Sequence, residues 1–171
     1  MHETEHVNFL KTTISSLGAM PVSKPTFDFT AQGNFPDVFT NYETFLAVSQ
    51  TFEDTGVRAY KGQAGNLISS NGILRAALRI HSVEARHASH VREMRNRNFG
   101  ASVQPWITLN QSGIASAAVQ PSYNGEELVV QAGVNIVGIN GFAISAKDAS
   151  EAFDEPLSKM QVLAIVSPFI A

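Results

Sequence analysis

Residues 80–88 read Ile-His-Ser-Val-Glu-Ala-Arg-His-Ala, within a longer run of helical periodicity from about Ser70 to Arg97. Apolar side chains recur in this run at three- and four-residue spacing, which indicates an amphipathic helix. Glu84 and His87 fall on its apolar stripe. A carboxylate three residues ahead of a histidine places both groups on one side of a helix, about one turn apart. The stretch therefore predicts a helix with ionisable groups on its inner face.

Two further segments carry the same kinds of group. Glu3 and His6 form a second pair, and a single Glu53 lies on the apolar stripe of a third segment. A buried carboxylate is costly unless it is paired or bound to a metal. Five such groups on three helices can satisfy one another around one or two cations. Oxygen and imidazole ligands together suit iron, manganese or zinc rather than calcium.

Two other interpretations of these five residues remain open. They could form a buried network of Glu–His salt bridges without metal, or they could lie on a solvated helix face. The apolar residues that flank each group argue against the solvated face. A short motif also arises by accident, and the requirement that both pairs be helical and inward-facing makes an accident less probable.

The chain divides into a helical first part and an irregular second part. Helices are predicted over residues 3–18, 36–61 and 70–97, with Asn34 as a candidate cap for the second. Helices of this length are typical of a bundle. The sequence after Gly100 is rich in Gly, Ser, Asn, Gln and Val, with only short extended pieces and one short helix near the end. We therefore predict an all-α fold with a helical bundle at 1–100 and a loop-rich C-terminal arm at 101–171.

Composition excludes several classes of protein. The formal net charge is −3 and there is no cysteine, which rules out disulfides, thiolate metal ligands and a cysteine nucleophile. No apolar run approaches the roughly 20 residues that span a bilayer. The acidic total disfavours nucleic acid as a partner, although one predicted helix is basic, with arginines at positions 75, 79, 86, 92, 95 and 97.

Some neighbours of the five residues have less certain roles. Asp54 and Arg58 flank Glu53 and are either its outer partners or a surface ion pair. Tyr60 lies two turns from Glu53 and either borders the metals or fills the core, with the core favoured. His81 and His90 are expected to be packing or surface histidines. Glu126 and Glu127 either extend an acidic surface or, as favoured, lie in a solvated turn.

Five stretches of the chain carry a resemblance to a known family. They are Glu3–Leu10, Pro25–Phe29, Phe52–Gly62, Ile80–Ala88 and Phe153–Leu157. In these stretches the chain resembles the ferritin-like superfamily. More narrowly, it is similar to the bacterial ferritin-like-domain proteins related to plant desiccation-related proteins.

The resemblance implies a ferritin-like four-helix bundle around a dinuclear metal centre, with iron as the expected metal and manganese or zinc as alternatives. In this family's pattern Glu3 and His6 are ligands from the second helix, Glu53 from the third, and Glu84 with His87 from the fourth. Three of the four bundle helices have counterparts in this chain. The first helix, which supplies a single glutamate, has none, so the site is expected to be incomplete.

The resemblance also bears on function. It implies divalent metal binding and, as a further step, redox chemistry with oxygen or peroxide. Whether the chain is an enzyme stays open. The alternative is a non-catalytic structural or desiccation-protection protein with a structural or vestigial metal site.

Three helices of a four-helix bundle should leave an apolar groove, which usually marks an interaction site. We expect an upstream helix, a second copy in a homo-oligomer, or the C-terminal arm to cover it. The compartment stays open, because relatives often carry export signals and such a signal would precede Met1.

Overall fold

Three long helices occupy the first hundred residues of the computed structural model, which describes all of residues 1–171. Both ends of the first and third helices lie within two residues of their predicted positions. The third ends at Gly100, which has a left-handed conformation (φ +65°). Many helices end at a residue in this conformation, and glycine adopts it readily because it has no Cβ. The bounds are α1 His2–Ser16, α2 Tyr42–Ala64 and α3 Asn71–Phe99.

Helix α2 begins later than the pattern predicts. The sequence indicated a start at Pro36 with Asn34 as the cap, but the cap is Asn41, whose side chain accepts hydrogen bonds from the backbone N–H groups of the first turn. The preceding residues form turns because Phe35 and Val38 are buried in the core. Core packing thus outweighs the suitability of proline for a first helical turn.

The loop-rich arm follows Gly100, and the chain is an all-α helical bundle with this arm. The division into two units at residue 100 stays a prediction. No helix is both long and apolar enough to cross a membrane. The arm contains an antiparallel pair, β1 Val130–Gln131 and β2 Val134–Asn135, and two short helices, α4 Ala146–Ser150 and α5 Lys159–Val166.

The largest apolar core lies between α2 and the arm. It joins residues from the loop before α2, from α2 itself and from three places in the arm. The arm is therefore packed along α2 as part of the fold. The core residues are Ala31, Phe35, Val38, Val48, Ile107, Val119, Tyr123 and Phe169.

A buried ion pair fastens the arm to α2. The Nε atom of Arg58 lies 2.6 Å from Oε1 of Glu126, and both side chains are almost fully buried. All three guanidinium nitrogens of Arg58 donate to backbone carbonyls of the arm, and Glu126 accepts the N–H of Glu155. The prediction that Glu126 lies in a solvated turn is wrong, because it is the counter-ion of a buried arginine.

Asp54 makes a second buried connection. Its carboxylate pairs with Arg92 of α3 and accepts a hydrogen bond of 2.8 Å from the hydroxyl of Tyr123 in the arm. Neither Asp54 nor Arg58 is a surface residue, and neither pairs with Glu53, so both interpretations from the sequence are wrong. Asp54 and Arg58 thus hold α2 against α3 and the arm. They thereby position the helix that carries Glu53.

Gly62 allows the arm to approach α2 closely. A Cβ at this position would overlap with the backbone carbonyl oxygen of Leu157. We expect Gly62→Ala to lower the free energy of unfolding by about 1–3 kcal/mol, the usual cost of overpacking. Gly65→Ala is the matched control, since no atom lies within 4 Å of its added methyl group. Urea unfolding measures both, and equal values for the two variants would contradict the close approach.

Helix α1 lies over α2 and α3 without burying any residue fully. Apolar side chains of this helix remain partly exposed, and Val7 is 47% exposed. An almost wholly apolar cleft of about 420 Å³ separates the three helices. Its lining includes Leu10 and Ile14 of α1, Tyr60 of α2, and Ala77 and Ile80 of α3. The predicted apolar groove is thus present, and the arm packs elsewhere.

Candidate metal centre

Each of the three long helices brings part of the candidate site to one place. Glu3 and His6 come from the start of α1, Glu53 from the middle of α2, and Glu84 with His87 from the middle of α3. The spacing of three residues aligns the carboxylate and the imidazole of each pair on one helix face. All five residues predicted from the sequence therefore lie in one cluster.

Four of the five residues form its centre. One ligand atom from each of Glu3, Glu53, Glu84 and His87 lies within 4.8 Å of the other three. Nδ1 of His87 lies 3.2 Å from Oε1 of Glu3, 3.3 Å from Oε2 of Glu53 and 3.3 Å from Oε2 of Glu84. A ring nitrogen carries at most one proton, so it cannot satisfy three carboxylates at once.

His6 joins the cluster at its edge. Its Nδ1 atom lies 3.1 Å from Oε1 of Glu84 and 3.4 Å from Oε2 of Glu3. Glu84 thus stands between the two histidines, with one carboxylate oxygen towards each. This is an arrangement in which one carboxylate can bridge two sites.

The carboxylates are crowded and partly shielded from water. The side chain of Glu84 is 7% exposed, that of Glu53 23% and that of Glu3 58%. Burial, and then the neighbouring charges of Glu84 and Glu3, raise the pKa of Glu53 to about 8. Oε2 of Glu84 is buried and receives no hydrogen bond. Such uncompensated negative charge favours a bound cation.

Comparison with known families agrees with this geometry. The family model of the ferritin-like domain matches residues 1–97, which is more than half of the chain. The chain belongs to the ferritin-like domain family. All five clustered residues lie within the matched range of this ferritin-like domain. Comparisons with curated proteins and with solved structures gave no match, and the finer likeness to desiccation-related proteins stays a prediction.

Other candidates in the ferritin-like domain have structural contacts. Nδ1 of His81 lies 3.1 Å from the carbonyl oxygen of Val57, and His90 is exposed beside Glu93. Tyr60 lines the apolar cleft, and burial followed by the charges of Glu84 and Glu3 raises its pKa to about 12. Tyr60 therefore lines the cleft, where the charges of Glu84 and Glu3 act on its hydroxyl.

The basic character of α3 is also smaller than its sequence suggests. Arg92 and Arg95 are buried, and Arg95 donates to Gln50 of α2 and to the backbone carbonyl of Gly113. Two of the six arginines on this helix are thus internal structural groups.

His2 also contacts the cluster, although no sequence motif indicates it. Nδ1 of His2 lies 3.1 Å from Nε2 of His87. A spacing of three residues does not indicate this contact, because His2 and His87 are 85 positions apart in the chain.

The raised pKa of Glu53 leads to a prediction for the metal-free protein. Its carboxyl binds a proton up to about pH 8 in the folded chain, whereas the ordinary pKa of a glutamate is 4.5. Because the folded state then holds more protons than the unfolded state, stability falls as pH rises from about 4.5 to about 8. We expect urea unfolding with a chelator present to show this decline, and to show less of it for Glu53→Gln. Parallel pH profiles for the two proteins would contradict the raised pKa.

Proposed function

We propose that this ferritin-like domain binds a dinuclear divalent metal centre, with iron as the preferred metal, through Glu3, His6, Glu53, Glu84 and His87. The convergence of four of these residues within 4.8 Å carries the proposal. Membership of the ferritin-like domain family supports it.

The donor set fits a divalent cation. Three carboxylates face a single imidazole nitrogen, and a buried oxygen of Glu84 has no hydrogen-bond donor. A cation would compensate this charge, which protein groups alone do not. Mixed oxygen and imidazole donors suit iron, manganese and zinc. Because the chain has no cysteine, an iron ion here would have carboxylate oxygens and imidazole nitrogens as its protein ligands.

The residues would divide the ligation between them. Glu84 lies between the two histidines with one oxygen towards each, so it would hold the metal centre from the middle while His6 and His87 would hold it from either side. Glu3 and Glu53 would contribute the remaining carboxylate oxygens of the site. When iron is bound, such a centre would supply redox chemistry towards oxygen or peroxide. Leu10 and Ile80, one helical turn from His6 and Glu84, line the apolar cleft that adjoins this centre.

Metal loading tests the proposal. The purified chain would be loaded without oxygen with Fe(II), and separately with Mn(II) and Zn(II), and the bound metal counted by elemental analysis after desalting. We expect up to two ions per chain, and a loss of bound metal in Glu3→Ala. Glu5→Ala is the matched control, because Glu5 is an exposed residue of the same helix. No bound metal in the parent protein would refute the proposal.

A second function is favoured by the packing of α1. This helix buries no residue fully, so ions held between Glu3, His6 and the other helices would tie it to the bundle. The metal would then stabilise the fold without turnover, as in a structural or stress-protection protein. Exposure of the Fe(II)-loaded chain to air separates the two functions. Oxidation of the iron favours the redox role, whereas a metal-dependent rise in melting temperature without oxidation favours the structural one.

We also propose that a second copy of the chain covers the apolar cleft. Its lining is almost entirely apolar, and such surfaces usually mark interaction sites. Light scattering after size exclusion should give the mass of a homo-oligomer for the parent and of a monomer for Leu10→Glu. Thr12→Glu is the control, because it adds the same charge to an exposed position of α1 outside the cleft lining. A monomeric parent would contradict the proposal.

A further inference from the structure

His2 lies behind His87, on the side that faces away from the carboxylates. The Nδ1 atom of His87 points to the three glutamates, while its Nε2 atom lies 3.1 Å from Nδ1 of His2. No other hydrogen-bond partner contacts Nε2 of His87. The two nitrogens of the His87 ring therefore have different partners. Nδ1 faces the three glutamates, and Nε2 faces His2.

The two imidazole rings meet edge to edge. Their planes differ by 5° and their centroids are 5.3 Å apart. This separation is close to the largest that a 3.1 Å contact between ring nitrogens permits, so the nitrogens lie near the line that joins the centroids. Rings stacked face to face with the same contact would have closer centroids. The geometry is that of an in-plane hydrogen bond between the two nitrogens.

The direction of this hydrogen bond follows from the role of His87. A neutral imidazole has one nitrogen with a proton and one with a free lone pair. When Nδ1 of His87 gives its lone pair to a cation, the ring proton resides on Nε2. Nδ1 of His2 must then be the acceptor. Such an outer partner fixes the tautomer and the ring orientation of a ligating histidine.

We infer that His2 is a positioning residue for the metal centre, which accepts the Nε2–H of His87 and holds its Nδ1 towards the glutamates. This inference rests on the proposed function. His2 is not itself a ligand, because its contact is with the far nitrogen of His87. Helix α1 thus supplies two ligands and also the support for a ligand of α3.

Zinc affinity of three variants tests the inference. His2→Phe keeps a ring at this position but has no acceptor, and Zn(II) should bind it about 10–100-fold more weakly, as for other lost outer partners. His2→Asn places an amide oxygen close to the original Nδ1 position and should recover most of the affinity. His90→Phe is the control, because it makes the same substitution at an exposed histidine of α3 that pairs with Glu93 and not with His87.

A second measurement reads the hydrogen bond directly. In the zinc-loaded, ¹⁵N-labelled parent, NMR should find the remaining ring proton of His87 on Nε2, with a scalar coupling across the hydrogen bond to Nδ1 of His2. His2→Phe should lose this coupling and expose the proton to faster exchange with water. A merely structural role for His2 would not produce the coupling.

The outcomes separate the two claims. Zinc binding that is equal in the parent and in His2→Phe, or a His87 ring proton on Nδ1, overturns the role of His2 while the metal site stands. A parent that binds no metal overturns the proposed function and this inference together.

Discussion

Replacement of Glu84 by glutamine is expected to weaken metal binding strongly and, at the same time, to stabilise the metal-free protein. Glu84 contributes one oxygen towards each histidine, and its side chain is the most buried of the five. Its loss should weaken metal affinity by more than the roughly 10–100-fold that an outer partner contributes. Without metal, the substitution removes one of three crowded carboxylates and lowers their mutual repulsion.

The opposite signs of these effects distinguish the metal site from a salt-bridge network. If Glu84 only paired with His6 and His87, its removal would break buried pairs and destabilise the chain. Zinc titration measures the first effect, and urea unfolding with a chelator present measures the second. Glu93→Gln is the matched control, an exposed glutamate of the same helix. A Glu84→Gln protein that binds metal normally, or that is less stable without it, would contradict the metal site.

Arg58→Met is expected to have the largest effect on stability. The arginine holds Glu126 in a buried ion pair and donates to three backbone carbonyls of the arm. Its removal leaves a buried carboxylate without a counter-ion, which costs about 3–5 kcal/mol. That is a large fraction of the roughly 5–15 kcal/mol that stabilises a native domain.

Urea unfolding of the full chain provides the measurement. Arg75→Met is the control, because Arg75 is exposed on α3 and forms no ion pair. The double variant with Glu126→Gln should recover part of the loss, since the carboxylate that remained uncompensated is then neutral. If Arg58→Met lowered the free energy of unfolding by no more than about 0.5 kcal/mol, the range of ordinary surface substitutions, this would contradict the structural role of the Arg58–Glu126 pair.

The sequence predicted the three helices and the placement of the five clustered residues because these depend on local spacing. An interval of three residues determines which side chains share a helix face, whatever the rest of the fold does. The apolar residues around Glu53 and Glu84 then showed which face is inner. That these residues bind metal remains a prediction.

The arm and its contacts could not be predicted in the same way. Helix α2 was interpreted with a single buried stripe, but it lies between α3 and the arm and is buried on more than one face. Asp54 and Arg58 therefore point inward although they lie off the stripe of Glu53. The partner of Arg58 is Glu126, and no local pattern connects two residues so far apart in the chain. The late start of α2 has a similar cause, since Phe35 and Val38 pack into a core formed largely by the arm.

The most direct test of the metal centre is a crystal grown with Fe(II) and measured at the iron absorption edge. The anomalous difference map should contain one or two peaks bounded by Glu3, His6, Glu53, Glu84 and His87. Iron bound only at other positions, or no peak among these five residues, would contradict the metal centre.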